Sequence, residues 1–113
     1  MADCLFCKIA AHELDATIVH ESDDVVAFKD INPGAPTHIL AIPRKHIASA
    51  KEVGSAEGAL LGEIFEVLGT LATGAGLDGG FRIVTNVGAD AGQSVHHLHF
   101  HLLGGRAMEW PPG

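Results

Sequence analysis

Apolar and polar positions alternate with a period of two in several short stretches of this chain, and with a period near 3.6 in one long stretch. Residues 17–21 and 24–29 (Thr-Ile-Val-His-Glu and Asp-Val-Val-Ala-Phe-Lys) are rich in β-branched residues and joined near Ser22-Asp23, so they predict two strands. A third strand is expected over 37–42, ended by Pro43, with His38 on the face of Leu40 and Ile42. A fourth is expected over 81–86 and a fifth over 95–103. Leu60, Leu61, Ile64, Phe65, Leu68, Leu71 and Ala72 recur at helical spacing and predict one apolar helix face. Ser55 is the expected N-cap, and Gly74 and Gly76 the stop, of a helix reaching about residue 73. Residues 4–10 suit a short helix or turn, whereas 30–36, 87–93 and the Pro-rich end read as loops. One long helix, five strands and no βαβ repetition predict an α+β domain over residues 1–113: a five-stranded antiparallel sheet with a long helix on one face and a short N-terminal helix.

Composition narrows the function. With 47% hydrophobic and 19% charged residues, the chain has material for a core. A net charge of −7 argues against a nucleic-acid binder, which needs a basic face. No apolar run reaches the roughly 18 residues of a membrane span, and Met1-Ala2-Asp3-Cys4 lacks the pattern of a secretory signal. The expectation is a cytoplasmic protein.

Four of the eight histidines fall within residues 96–101. On a strand, His97, His99 and His101 point one way at intervals of about 7 Å, and Leu98, Phe100 and Leu102 point the other. Buried imidazoles need hydrogen-bond partners, so a purely structural strand has no use for such a row. Two chemistries remain. Alternating histidines can supply metal ligands, or a neutral imidazole can attack phosphorus while its neighbours orient it and hold phosphate oxygens. Gly92-Gln93-Ser94 and Asn86 offer N–H, amide and hydroxyl groups beside the strand, and Asp30 can take both hydroxyls of a ribose, which favours the second. The central His99 is then the nucleophile.

His97-Leu98-His99-Phe100-His101-Leu102-Leu103 resembles the signature of the histidine triad family, His-φ-His-φ-His-φ-φ with φ apolar. Phe28-Lys29-Asp30-Ile31, Ala35-Pro36-Thr37-His38, Ile42-Pro43-Arg44-Lys45-His46 and Gly92-Gln93-Ser94-Val95 resemble further family blocks in order. Gly104-Gly105-Arg106 and Trp110-Pro111-Pro112-Gly113 resemble the Hint branch, the purine nucleoside phosphoramidate hydrolases. The resemblance implies a homodimer joined around the long helices, a purine nucleotide ligand such as AMP or GMP, and a phosphoramidate substrate such as an adenylated lysine. It implies that His99 is nucleotidylated, that His101 contacts phosphate, and that His97 and His38 support them. It further assigns Ser94 to the leaving amine, Asp30 to the ribose, and Phe6, Phe28, Ile31 and Leu40 to the base. Trp110 would reach the partner protomer's site. No cofactor is implied for the chemistry. His96 stands where animal members usually carry a tyrosine, and Cys4 and Cys7 are absent from those members.

Cys4 and Cys7, spaced C-x-x-C, are expected to form a structural zinc site, a pair of reduced thiols or a redox pair. The resemblance implies His46 and His97 as further zinc ligands, in tension with a catalytic His97; His96 is the substitute. His12 and His20 are expected at the surface, and Arg44-Lys45 as a solvated pair rather than a phosphate clamp. Trp110 is expected to pack at a dimer or active-site surface. The competing functions are a dinucleoside polyphosphate hydrolase or nucleotidyl transferase of the same family, and a nucleotide- or zinc-binding interaction protein.

Overall fold

A computed structural model describes residues 3–113 of the chain. Helix α1 (Leu5–Ala10) leads into strands β1 (Ile18–Glu21), β2 (Val25–Lys29) and β3 (Thr37–Pro43). Two 3₁₀ turns precede helix α2 (Gly58–Gly74), followed by β4 (Phe81–Val84) and β5 (Phe100–Gly104). The strands form one antiparallel sheet in the order β1-β2-β3-β5-β4.

The sheet has two covered faces, and the strand alternation assigns residues to each. Val25, Ala27, Ile39, Ala41, Phe100 and Leu102 pack with Ile64, Val67, Leu68 and Ala72 of α2. Val26, Phe28, Leu40 and Ile42 pack with Phe6, Ile9 and Ala10 of α1. A six-residue helix has little stability of its own, so α1 depends on its tertiary ties. Cys4 caps its first turn by accepting the Cys7 N–H at 3.2 Å. Arg44 secures the other end by donating to the Ala10 carbonyl at 2.6 Å, and it also donates to the Ser22 carbonyl and to Glu21. Arg44 therefore joins α1 to the β1–β2 corner instead of standing free in solvent, whereas Lys45, with its side chain 67% exposed, keeps the expected solvated place.

Several elements differ from the sequence expectation. Ser55 does not cap α2; it begins a 3₁₀ turn, and the Glu57 carboxylate accepts the Gly54 N–H at 2.7 Å. Phe65 is 49% exposed and lies edge-on to Phe100, while Val67 is buried in its place. The helix stops where glycine predicted: Gly76 has φ of 74°, and the Leu77 N–H reaches back to the Ala72 carbonyl at 3.0 Å. Strand β4 ends at Val84, so Thr85 and Asn86 lie outside it.

The fifth strand is the main correction. Its ladder begins at Phe100, and residues 95–97 form a bend. The cause lies on β3. Ala41 faces Phe100, so extending the ladder would set Pro43 opposite Leu98, and proline has no N–H to donate. The Leu98 N–H instead bonds the Ile47 carbonyl at 2.6 Å. Side chains still alternate through the irregular stretch: Leu98 packs on the α2 side, and His97 and His99 contact Phe6 on the α1 side.

Candidate active site and metal centre

Strands β3 and β5 bring the histidines together. Leu40 pairs with His101 and His38 with Leu103, so His38 and His101 are diagonal neighbours on the α1 face. A cleft of about 360 Å³ lies against this face. Phe6, Phe28, Leu40, Asp30, Ile31, Ser94, His99 and His101 line it, as expected from sequence, together with Leu5, Ile9, Leu14, Asp15, Ala16, Lys29 and Val95. Its walls are largely apolar, and its polar groups gather around the two histidines and Asp30.

Hydrogen bonds define which ring nitrogen does what. His99 Nδ1 lies 2.7 Å from the His97 carbonyl, which can only accept, so Nδ1 carries a proton, and in the neutral ring the lone pair is on Nε2. The Thr85 hydroxyl donates to the His99 carbonyl at 2.8 Å and steadies the backbone. The Gly34 N–H donates to His38 Nδ1 at 2.9 Å, so the His38 proton sits on Nε2. From there it is donated to His101 Nδ1 at 2.8 Å, with Asp30 Oδ2 at 3.4 Å from the same nitrogen. His101 consequently presents its own N–H on Nε2. Burial, with His99 and His38 beside it, lowers the His101 pKa to about 4 despite the opposing pull of Asp30. At neutral pH the site thus holds His101 as an uncharged donor beside the His99 ring. The other carboxylate oxygen of Asp30 accepts the Asn32 N–H at 2.8 Å, which fixes the carboxylate at the cleft.

His97 has a different role from its two neighbours. It is fully buried, its Nε2 donates to the Pro43 carbonyl at 2.8 Å, and burial holds it in the neutral form. Its Nδ1 lone pair therefore points away from the cleft, 3.3 Å from Cys4 Sγ and 3.5 Å from Cys7 Sγ. His46 Nδ1 lies 3.3 Å from Cys7 Sγ. The donor atoms of Cys4, Cys7, His46 and His97 all fall within 4.8 Å of one another. Zinc bonds of 2.3 Å to sulfur and 2.0–2.1 Å to nitrogen in a tetrahedron separate S and N by about 3.6 Å, close to these distances. Two thiolates and two imidazoles are a donor set that suits zinc, which would be fully coordinated here and would stabilise the fold rather than take part in chemistry. Without a metal, burial and Cys4 raise the Cys7 thiol to about 11, so binding must displace protons. Asp30, His38 and His101 also cluster. There the 2.8 Å between the His38 and His101 nitrogens is a hydrogen bond; two nitrogens on one zinc stand about 3.3 Å apart.

The tension over His97 is resolved by direction: its side chain faces the cysteines, and its carbonyl serves His99. His96 is exposed and does not join the cysteine cluster. Other expected residues lie outside the cleft lining: Asn86, Gly92, Gln93 and Trp110. The Gln93 amide is engaged in bracing its own loop, donating to the Ala48 and Val95 carbonyls and accepting the Gly88 N–H. Trp110 is 82% exposed. His12 is a surface residue paired with Glu21 at 2.5 Å. His20 is half-buried rather than superficial, and its Nε2 is buried without a partner among the described residues. Sequence reasoning missed Pro43, Gly34 and Thr85 because they act through backbone groups or a single hydroxyl, which leave no compositional mark.

The family profile described as scavenger mRNA decapping enzyme C-terminal binding matches residues 3–110. An uncharacterised HIT-like protein of Synechococcus elongatus is 47% identical over 98% of this chain and 97% of its own length. A 14 kDa zinc-binding protein of Zea mays is 46% identical over 96% of this chain and 87% of its own length. The crystal structure of a HIT family hydrolase from Legionella pneumophila is 51% identical, covers 98% of this chain and 100% of its own, and superposes with a TM-score of 0.96.

Proposed function

This chain belongs to the histidine triad family, and from that premise we propose that it hydrolyses the P–N bond of purine nucleoside 5′-phosphoramidates through a nucleotidyl-His99 intermediate. The carrying observation is the His99 Nδ1–H bond to the His97 carbonyl at 2.7 Å, which leaves Nε2 unprotonated at the wall of the cleft. Phe6, Phe28, Ile31 and Leu40 take the base, and Asp30 accepts from the ribose hydroxyls. Neutral His101 donates its Nε2–H to a phosphate oxygen. His99 Nε2 bonds the α-phosphorus as the P–N bond breaks, and the departing amine takes a proton from solvent water beside Ser94, which lines the cleft; the water that attacks in the second step returns one proton to solvent. The positive charge that forms on His99 is stabilised by the His97 carbonyl. Water then attacks phosphorus, releases the nucleoside monophosphate and restores His99.

A zinc ion held by Cys4, Cys7, His46 and His97 is part of this reading, as structure and not as a reactant; the donor separations support it. So is a homodimer. Phe65 on α2 and Phe81 on the edge strand β4 are exposed and apolar, a surface suited to a second copy, and a partner would give the exposed Trp110 something to cover. Among the described residues no helix is long and apolar enough to cross a membrane.

The test is release of tryptamine from its adenosine phosphoramidate, with His99→Ala alongside and diadenosine polyphosphate as the rival substrate. Fast amine release by the wild type and a loss of at least 10³-fold in the variant, with AMP still bound, are expected. Preferential cleavage of the polyphosphate would assign the chain to that branch instead.

A further inference from the structure

The metal centre and the cleft are joined by two physical links. His97 supplies the first. Its Nδ1 faces the two cysteine sulfurs, its Nε2 is fixed on Pro43, and its carbonyl receives the Nδ1–H of His99. This carbonyl lies in the bend before Phe100, outside the ladder of β5. No strand pairing holds it; its peptide is anchored by the His97 ring and by the Leu98 N–H, which bonds the carbonyl of Ile47, the residue after His46, at 2.6 Å. Helix α1 supplies the second link. Cys4 and Cys7 bracket Phe6, whose ring lies edge-on to His97, His99 and Phe28 at centroid distances of 6.1, 5.1 and 5.4 Å. Arg44 ties the far end of this six-residue helix, while the cysteine sulfurs of its first turn meet His46, after β3, and His97, before β5.

We propose that zinc at Cys4, Cys7, His46 and His97 positions the active site: it sets the tautomer of His99 through the His97 carbonyl and docks Phe6 as a wall of the nucleotide cleft, so metal and nucleotide bind with positive coupling. The inference rests on the reading of the cleft as a nucleotide site and of the cluster as a metal site. His97 is in this respect a positioning residue for His99. Because coupling between two binding equilibria is reciprocal, whatever factor zinc adds to nucleotide affinity, nucleotide must add to zinc affinity.

Three measurements on the full chain test it. AMP affinity is measured by calorimetry on zinc-loaded and chelator-stripped protein under reducing conditions, and zinc affinity by chelator competition with and without saturating AMP. Stripping is expected to weaken AMP binding on the order of tenfold, and AMP to tighten zinc by the same factor. The ¹⁵N spectrum of His99 is expected to report Nδ1–H alone in the loaded protein and a mixture of tautomers in the stripped one. His46→Cys, which keeps four zinc ligands, should retain both the tautomer and the AMP affinity, and Cys7→Ala should lose both. If the stripped protein unfolds, the cobalt-loaded protein decides without a metal-free state. AMP should then shift the visible bands of the ion with the midpoint of the calorimetric titration. Zinc and AMP that both bind with unchanged affinities, the same His99 tautomer with and without metal, or cobalt bands indifferent to AMP would overturn the coupling and leave the proposed function intact. Failure to take up a tenth of an equivalent of metal, or to bind AMP when loaded, would bring down the premise and the inference together.

Discussion

Replacing His38 with alanine removes the donor that assigns the proton of His101. In the wild type the Gly34 N–H occupies His38 Nδ1 at 2.9 Å, His38 Nε2–H occupies His101 Nδ1 at 2.8 Å, and His101 is left with one N–H, on Nε2. In His38→Ala the His101 ring is free to rotate and to carry its proton on either nitrogen, and water enters the space. On the proposed mechanism, a fixed donor to the reacting phosphate becomes one that is correctly placed part of the time. Loss of one preorganised donor lowers kcat by about 10²–10³-fold, or about 2.7–4 kcal/mol. The lower end applies here, because His101 keeps the competent tautomer for part of its population. The expected result is a fall of about 10²-fold in kcat for phosphoramidate cleavage, with AMP affinity changed less than threefold. His38→Gln, whose amide N–H can reach toward His101, should recover about tenfold of that loss. Stopped-flow or fluorogenic release of the amine gives kcat, and calorimetry gives the affinity. A His38→Ala enzyme within threefold of wild-type kcat would refute the relay; equal losses in Ala and Gln would refute its dependence on a donor.

Three further outcomes are expected. Since the folded-state pKa of His101 is lowered to about 4, the unfolded chain binds its proton first as pH falls from about 6.5, and the folded protein loses stability between pH 6.5 and 4, by at most about 3 kcal/mol from this group. The slope of stability against pH in that window should flatten in His101→Asn; an identical slope in both proteins excludes His101 as its source. Gly104→Ala should destabilise the fold by about 1–3 kcal/mol, because the new Cβ would stand 2.6 Å from Leu77 Cδ1; adding Leu77→Ala should relieve the clash in urea unfolding. Protein purified without added zinc should contain close to one equivalent, and Cys4→Ala with Cys7→Ala should contain none, by elemental analysis; a wild type with less than a tenth of an equivalent contradicts the site.

Gly105 illustrates how closely sequence and packing meet at the sheet's end. Its φ is 93°, and a Cβ there would stand 2.8 Å from Pro36 Cβ, so the glycine beside the family-like Gly104-Gly105-Arg106 block follows from backbone geometry and from the loop lying over it. The long helix and the five strands were legible, because periodicity is a local property, whereas the 3₁₀ turns and the irregular 95–99 stretch were not. The apolar stripe of α2 missed only the exchange of Phe65 for Val67, as both lie near the stripe's border. The histidine row was legible for the same reason: a period of two sets side-chain direction even where, as at His97 and His99, no ladder forms. The C-x-x-C pair was legible as a metal candidate, since its spacing alone places both sulfurs on one turn.

What the amino-acid sequence determined was thus the list of elements, the face on which each histidine lies, and the chemistry those residues can perform. The tertiary structure decided which ring nitrogens meet donors or acceptors and which histidines gather with the two cysteines. Those assignments depend on partners far away in the chain: His97 meets Cys4 across 93 positions and Pro43 across 54, and His38 meets His101 across 63. It also decided that β5 begins late, because Pro43 on the neighbouring strand has no N–H to offer, and that the Gln93 amide braces a loop instead of facing phosphate. A hydrogen bond is directional and short, so only the folded arrangement of distant groups fixes whether a given polar atom is free for chemistry or already engaged.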